Sequence, residues 1–297
     1  MKILVSGING QLGKAIINSK RKTYEVIGLE KKLFNLENFE SCKNLILNLK
    51  PDWIINTAAY TQVDQAEYEK EKAFKVNSFG VENIAKVLSS YGGKLIHIST
   101  DFVFGGNKSK SYLTNDICKP LGVYGASKLK GEELIIQLPN IVIIRTSWLY
   151  GPVGNNFCLT MLKLHKKFSE ERKPIKVISD QVGCPTSTSD LAKVCWKFID
   201  KLKKEDFLSE IYHWSNSGVT SWYDFAIAIG ELGEKYNLIK KSAKVIPISS
   251  EEYKTDAKRP SFSILNCNKT IKKLNIEQTY WRSSLNEVIK NISHKDF

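Results

Sequence analysis

KILVSGINGQLGKAII, residues 2–17, is the stretch of sequence that decides the fold. Its first five residues are largely apolar and predict a buried strand, and its last residues have the apolar spacing of a helix. Gly7, Gly10 and Gly13 lie between the two. Gly7 allows a tight turn, Gly10 lets the backbone approach a pyrophosphate, and Gly13 allows the helix to pack closely. A strand, a glycine-rich turn and a helix in this order predict a dinucleotide site with its phosphates at the helix N-terminus.

A second predicted strand, residues 24–29, ends at Glu30, about 20 residues beyond the glycines. An acidic side chain at this point accepts hydrogen bonds from an adenosine ribose. Lys31 and Lys32 follow at once and offer charge to a 2′-phosphate. NADP therefore stays open beside NAD.

Strands and helices continue to alternate as far as about residue 150. Further strands are predicted at 51–57, 95–99 and 141–144, and further helices at 66–89 and 124–137. Alternation of this kind is typical of an α/β fold, here a Rossmann-like, doubly wound parallel sheet. In such a fold the ligands bind at the carboxyl ends of the strands.

Beyond Trp148 the alternation weakens. Helices are predicted at 157–168, 190–202, 221–236 and from about 281, with a strand at 211–215 and irregular chain at 180–186. We therefore expect a dinucleotide-binding domain at 1–150, with a return at about 187–215. A smaller mixed substrate-binding lobe, residues 151–186 and 216–297, would complete the chain.

Thr100, Tyr124 and Lys128 form the candidate catalytic set. Tyr124 and Lys128 are four residues apart and fall on one face of any helix that holds them. An ammonium beside a phenol favours the phenolate, so we expect Lys128 to lower the pKa of Tyr124 and to make it a proton donor near neutral pH. Thr100, at the end of a predicted strand, supplies a third polar group. The Tyr-x-x-x-Lys spacing is weak evidence by itself, because both residues are common in this chain.

The composition is that of an ordinary globular protein. Of 297 residues, 42% are hydrophobic and 25% charged. No apolar run approaches the roughly 20 residues of a membrane span. The N-terminal segment lacks the features of a signal peptide, so we expect a cytoplasmic protein without a membrane partner. The six cysteines include no close pair, which favours buried free thiols over disulfides or a zinc site.

The formal net charge is +13. The basic residues are dispersed, which is typical of a basic solvated surface, although an anionic substrate fits the same charge. No nucleic-acid-binding motif is visible, so we expect no nucleic-acid partner.

Together these residues resemble the extended short-chain dehydrogenase/reductase family. The features that match are Gly7-x-x-Gly10-x-x-Gly13, Asn56-Thr57-Ala58-Ala59, Asn77, Thr100 and Tyr124-x-x-x-Lys128. Further segments sharpen the resemblance to members that reduce dTDP-linked ketosugars, namely 10–13, 59–64, 99–104, 123–125, 145–150, 154–157, 180–186 and 259–260. They span nearly the whole chain in the family's order.

The resemblance implies hydride transfer from NADPH or NADH to the C4 keto group of dTDP-4-dehydro-6-deoxy-L-mannose. It implies that Tyr124 gives a proton to the nascent alkoxide, that Lys128 binds the nicotinamide ribose, and that Thr100 hydrogen-bonds the carbonyl oxygen. The residues implied in cofactor binding are Gly7, Gly10, Gln11, Leu12, Gly13, Glu30, Ala59, Tyr60, Thr61, Tyr124 and Lys128. Those implied in substrate binding are Thr100, Asp101, Trp148 and Arg259. Packing alone also explains Trp148, and Arg259 fits a surface arginine equally well.

The sequence departs from the family at two positions near the candidate site. The family often has Tyr where Phe102 stands and commonly His where Tyr60 stands. Some members depend on a divalent cation such as Mg²⁺ at a subunit contact, but we see no acidic cluster that predicts a metal site. A homodimer stays open.

Two other functions stay open from the sequence. One is reduction of a different nucleotide 4-keto-6-deoxysugar, since the contacts that select a sugar are not evident in one sequence. The other is a regulatory subunit that binds a dinucleotide without turnover.

Overall fold

The computed structural model describes residues 1–292. Its strands are β1 (Lys2–Ser6), β2 (Glu25–Leu29), β3 (Trp53–Asn56), β4 (Lys94–Thr100), β5 (Ile141–Thr146), β6 (Leu149–Tyr150), β7 (Ile175–Ile178), β8 (Val182–Gly183), β9 (Thr186–Ser187), β10 (Glu210–His213), β11 (Thr220–Ser221) and β12 (Val245–Ile248). Its α-helices are α1 (Gln11–Asn18), α2 (Phe39–Leu49), α3 (Val63–Ala66), α4 (Lys70–Phe74), α5 (Gly80–Ser89), α6 (Val123–Ile135), α7 (Phe157–Glu170), α8 (Thr188–Leu202), α9 (Trp222–Lys235), α10 (Asn268–Leu274) and α11 (Trp281–Lys290).

The central sheet has six parallel strands in the order β2-β1-β3-β4-β5-β10. Strand β1 pairs with β2 on one side and with β3 on the other, so the winding direction reverses between β1 and β3. This topology confirms the predicted Rossmann-like fold. The crevice outside the carboxyl ends of β1 and β3 is where such sheets bind nucleotides.

Both faces of the central sheet are covered by helices. In β1, Ile3 and Val5 join a core with Leu12 and Ile16 of α1. Leu4, between them, joins a separate core that contains residues of α2 and α5. Because successive side chains of a strand point to opposite faces, every residue of a strand buried on both faces has to be apolar or internally paired. This requirement accounts for the continuous apolar runs in the sequence.

Helix α1 packs closely on the turn that precedes it. A Cβ on Gly13 would lie 2.3 Å from the carbonyl oxygen of Gly7, so a larger residue at position 13 would push the helix away. Gly7 has φ of +72°, a backbone conformation that glycine adopts at little cost. The structure gives both glycines the roles expected from the sequence.

The predicted helix at 66–89 is not continuous. A π-helical turn, Lys75–Phe79, separates α4 from α5, and α3 is a separate short helix. Asn77 lies in this turn. Its side chain forms two hydrogen bonds with the backbone of Tyr60, in the loop after β3. Turns of this kind often mark functional sites.

A third core lies between α7, α9 and α11. Three pairs of short strands border this core, namely β6-β9, β7-β12 and β8-β11. The segment 180–186, predicted to be irregular, contains β8 and the first residue of β9. Ser221 caps α9 by accepting a hydrogen bond from the Asp224 N–H at 3.0 Å. The division into a cofactor domain and a substrate lobe stays a prediction, and its last residues, 293–297, lie outside the described residues.

All six cysteines are free thiols; five are buried, as predicted, whereas Cys118 is only partly buried. Among residues 1–292, none of the helices combines the length and hydropathy needed to cross a bilayer.

Candidate active site

A cavity of about 720 Å³ opens at the carboxyl ends of the central strands. The residues that follow β1, β3, β4 and β5 all contribute to its wall. Thirteen sequence-predicted site residues line it: Gly7, Gly10, Gln11, Leu12, Gly13, Ala59, Tyr60, Thr61, Thr100, Asp101, Tyr124, Lys128 and Trp148. Residues far apart in sequence therefore meet in one space.

The N-terminus of α1 forms one end of the cavity. Gly10 is the N-cap residue, so the next three N–H groups have no partner within the helix. These groups and the helix dipole suit an anion such as a pyrophosphate. A Cβ on Gly7 would lie 2.9 Å from the backbone nitrogen of Ala58, so only glycine permits this close approach of the two loops. The turn fits a dinucleotide.

Tyr124 and Lys128 lie one turn apart in α6, and both line the cavity. The expectation that Lys128 lowers the pKa of Tyr124 was wrong. Burial raises the pKa of Tyr124 to about 12, and the neighbouring Thr100 side chain offsets this only in part. The phenol is therefore protonated at neutral pH, the state that a proton donor requires.

Lys128 is fully buried and is held from the side of β4. Its Nζ donates to the carbonyl oxygen of Ile98 at 2.7 Å and lies 3.1 Å from Nε2 of His97. The other ring nitrogen, Nδ1, lies 3.1 Å from Nδ2 of Asn56, and Ser6 donates to Oδ1 of that residue at 2.6 Å. A polar chain thus crosses β1, β3 and β4 beneath the cavity and fixes the ammonium.

The charge state of this chain follows from its burial. Burial lowers the pKa of Lys128 to about 8, although Glu132 one turn away favours the ammonium. Burial and the adjacent Lys128 hold the pKa of His97 well below its usual value, so the imidazole is neutral. Within this polar chain of side chains, Lys128 is therefore the group that changes charge near neutral pH.

Thr100 and Asp101 end β4 at the cavity. Thr100 donates to Oδ1 of Asp101 at 3.1 Å and accepts a hydrogen bond from the N–H of Phe102 at 3.2 Å. Burial raises the pKa of Asp101 to about 7. The Thr100 hydroxyl and the Asp101 carboxyl therefore lie beside Tyr124, and the carboxyl titrates near neutral pH.

Two predicted site residues are not part of the cavity wall. The chain turns at Glu30, and the backbone carbonyl of Glu30 accepts hydrogen bonds from the N–H groups of Leu33 and Phe34. The Glu30 side chain is exposed and lies outside the cavity wall, whereas Lys31 is part of the wall. Arg259 donates to Oδ2 of Asp64 at 2.6 Å, so its guanidinium already has a carboxylate partner.

Within residues 1–292, no group of three or more His, Cys, Asp or Glu side chains is arranged to hold a metal ion. The Mg²⁺ that the family resemblance implied for some members therefore finds no ligand set in this part of the chain, and we derive no step through it.

Comparison with known proteins agrees with the geometry. Residues 1–294 match the family model described as the RmlD substrate binding domain. The chain belongs to this family.

RmlD-family relatives match over almost the full chain. A spore coat polysaccharide biosynthesis protein, SpsK of Bacillus subtilis, is 38% identical over 98% of this chain and 98% of its own. A dTDP-4-dehydrorhamnose reductase of Aggregatibacter actinomycetemcomitans is 38% identical over 97% of this chain and 98% of its own. A crystal structure of dTDP-4-dehydrorhamnose reductase from Bacillus anthracis in complex with NADP has a TM-score of 0.86 at 36% identity, covering 97% of this chain and 98% of that one. These matches confirm the resemblance found in the sequence.

The two departures from the family pattern have structural consequences in this RmlD-family chain. Phe102 packs edge-on against Tyr124, with ring centroids 5.5 Å apart, so the contact is apolar. The Tyr60 hydroxyl donates to Glu69 at 2.9 Å, and its backbone N–H donates to Oδ1 of Asn77 at 2.8 Å. Asn77 also donates to Ser127 of α6 at 3.0 Å, and so it ties the loop after β3 to the helix that carries Tyr124.

Sequence reasoning missed His97, and it did not place Lys31 on the cavity wall. His97 interrupts an otherwise apolar strand that is buried on both faces, and a polar residue at such a position signals an internal hydrogen bond. Lys31 was considered only as charge near a 2′-phosphate, yet it lies on the cavity wall and pairs with Glu37 at 3.1 Å. The sequence signal for Lys31 is its position directly after Glu30, at the predicted cofactor site.

Proposed function

We propose that this protein is an NADPH-dependent reductase that converts dTDP-4-dehydrorhamnose, the 4-keto-6-deoxy-L-mannose nucleotide, to dTDP-L-rhamnose. The observation that carries the proposal is the convergence of Thr100, Tyr124 and Lys128 on a cavity that the glycine turn also lines. Membership of the RmlD family supports it, as do the two reductases of that name at 38% and 36% identity. The name of SpsK suggests a polysaccharide as the destination of the sugar.

In this proposal the chain divides the work between proton donation and positioning. A bound nicotinamide supplies the hydride to C4. Tyr124 gives its hydroxyl proton to the oxygen that becomes the C4 alcohol. The Thr100 hydroxyl turns from Asp101 and donates its hydrogen bond to the same oxygen as negative charge develops on it. Lys128 holds the nicotinamide ribose and stabilises the phenolate that Tyr124 leaves. Asp101 and Trp148 contact the nucleotide sugar.

The test is NADPH oxidation with dTDP-4-dehydrorhamnose and with a panel of other nucleotide 4-keto-6-deoxysugars, followed by determination of the configuration at C4 of each product. The proposal expects the highest kcat/KM with dTDP-4-dehydrorhamnose and dTDP-L-rhamnose as the product. A higher kcat/KM with another ketosugar would establish the second candidate function. Tight NADPH binding without turnover of any sugar would establish the regulatory subunit.

The charge of Lys128 predicts a pH dependence. Its pKa of about 8 in the folded protein means that the ammonium is present below that pH and lost above it. Tyr124, with a pKa of about 12, stays protonated throughout this range. Asp101, with a pKa of about 7, is largely ionised above pH 8. We therefore expect kcat/KM, measured from about pH 8 to about pH 10, to fall tenfold per pH unit as Lys128 loses its charge. In Lys128→Arg, whose charge persists, the residual activity should lose this break; a break at the same pH in that variant would assign it elsewhere.

The cofactor-side residues predict use of both NADPH and NADH. Lys31 offers charge to a 2′-phosphate, but Glu37 already pairs with it at 3.1 Å, which weakens the preference for NADPH. We expect kcat/KM values for the two cofactors to differ by less than about a thousandfold, roughly 4 kcal/mol. Lys31→Ala should reduce the ratio of kcat/KM with NADPH to kcat/KM with NADH. A larger ratio in the unaltered protein, or no effect of Lys31→Ala, would contradict this account.

A further inference from the structure

Two tryptophan rings, Trp148 and Trp222, stack beside the cavity. Their centroids are 3.5 Å apart and their planes differ by 5°, so the rings overlap with almost no lateral offset. Trp148 lines the cavity, and Trp222, the first residue of α9, stands behind it. Aromatic pairs prefer offset or edge-to-face contact over this arrangement. The surrounding structure therefore imposes the stack.

Gly183 covers the other face of the Trp148 indole. A Cβ on Gly183 would lie 2.5 Å from Cε2, 2.7 Å from Nε1 and 2.8 Å from Cζ2 of that ring. Since Cε2 is bonded to both other atoms and is nevertheless nearest, the approach is over the ring face and not from its edge. On the side of Trp222 such a Cβ would meet the Trp222 ring first, so Gly183 lies on the opposite face. The indole is held between a glycine backbone and a second indole.

The backbone of Trp148 is held in place as well. Its φ of +47° lies in the left-handed region, which costs a residue with a Cβ roughly 1–2 kcal/mol. Two hydrogen bonds fix this segment: Ser147 donates to the carbonyl of Cys184 at 2.9 Å, and the N–H of Thr186 donates to the carbonyl of Trp148 at 3.1 Å. Strain of this kind persists where the surroundings determine the conformation, and it is concentrated at functional sites.

We propose that Trp222 and Gly183 are positioning residues that hold Trp148 as a rigid wall for the sugar nucleotide, with its ring edge toward the cavity. Both faces are covered, so the edge is the part that a ligand meets. The edge of an aromatic ring carries the positive part of its quadrupole and suits the oxygen atoms of a sugar or diphosphate. Trp148 therefore binds an oxygen-rich substrate by its edge and does not stack on a base. This inference rests on the proposed function.

Removal of Trp222 tests the proposal. In Trp222→Leu we expect KM for dTDP-4-dehydrorhamnose to rise at least tenfold, with kcat changed less than threefold and the Kd of NADPH unchanged. Trp222→Phe, which restores a flat ring, should recover most of the loss. Tyr223→Leu, which removes the next aromatic ring of α9, is the matched control and should leave KM unchanged. The stack itself is followed by the exciton couplet of the paired indoles in far-ultraviolet circular dichroism, which should vanish in Trp222→Leu and persist in Tyr223→Leu.

Gly183→Ala tests the wall from its other face and remains informative if Trp222→Leu fails to fold. Its methyl group should displace the indole, raise KM and alter the couplet. Loss of the couplet with an unchanged KM would overturn the proposal. Calorimetric binding of dTDP-L-rhamnose separates it from the proposed function. Wild-type protein that binds this nucleotide but reduces no ketosugar would refute the function, whereas weaker binding by Trp222→Leu would still support the wall.

Discussion

Tyr124→Phe is expected to lower kcat for ketosugar reduction by about 10²–10⁴-fold, the usual contribution of a positioned general acid. The phenol is the protonated group beside Thr100, and burial keeps its pKa at about 12. Phenylalanine preserves the ring and its edge contact with Phe102. Because only the hydroxyl group is removed, the Kd of NADPH should change little. Fluorescence titration and steady-state kinetics on the same preparation measure both quantities.

Tyr150→Phe is the matched control for this variant. Tyr150 is also buried, and among the described residues its hydroxyl has no hydrogen-bonding partner, so the same atom is removed away from the proposed chemistry. The control should retain kcat within a small factor. Turnover by Tyr124→Phe at the wild-type rate would refute the assignment of Tyr124 as the proton donor.

Glu132→Ala is expected to cause the largest loss of stability. Glu132 and Arg145 form a buried ion pair, with Nη2 of the arginine 2.6 Å from Oε2 and both side chains at most 3% exposed. Nε of Arg145 also bonds Oε1 at 3.0 Å, and Ser99 donates to the same carboxylate. Removal of the acid leaves an uncompensated buried cation, which costs about 3–5 kcal/mol. Chemical denaturation should report this loss, with a fall in Tm of roughly 10 °C.

Glu133→Ala is the control for the buried pair. Glu133 is the next residue and pairs with Lys130 at 3.5 Å, but both side chains are about half exposed. Its removal should cost less than about 1 kcal/mol. The double variant Glu132→Leu/Arg145→Leu should recover part of the lost stability, because it leaves no unpaired charge. Equal decreases in the free energy of unfolding of Glu132→Ala and Glu133→Ala would show that the buried pair contributes no more to stability than the exposed pair.

Local patterns predicted most strands and helices of the first 150 residues. The turn from β1 to α1 depends on glycines whose backbone needs are satisfied within a few residues, so the sequence is sufficient to identify it. The buried strand β5 begins with a continuous apolar run, residues 141–144. Tyr124 and Lys128 share a face because helix geometry fixes residues four apart.

Elements whose stability comes from distant partners escaped prediction. Helices α2 and α10 and strands β7 and β12 were missed. Strand β7 pairs with β12, 70 residues further along the chain, and two-stranded sheets of this length are not stable alone. The break of the helix at Lys75–Phe79 depends on hydrogen bonds from Asn77 to a loop and to α6, which no local pattern shows.

Electrostatics in the site also depended on the tertiary structure. The sequence identified Tyr124 and Lys128 but gave the wrong direction for the Tyr124 pKa, because burial disfavours the charged phenolate and the neighbouring Asp101 carboxylate adds to this effect. The family resemblance implied Arg259 in substrate binding, yet its guanidinium pairs with Asp64, which lies far away in sequence.

The sequence by itself determined the fold class, the glycine turn and the shared helix face of Tyr124 and Lys128, since each follows from spacing within one strand, turn or helix. The tertiary structure alone decided which charges are paired, which pKa values shift, and how Trp148 is clamped between Gly183 and Trp222. Desolvation and packing are set by neighbours that the chain brings together only when it folds.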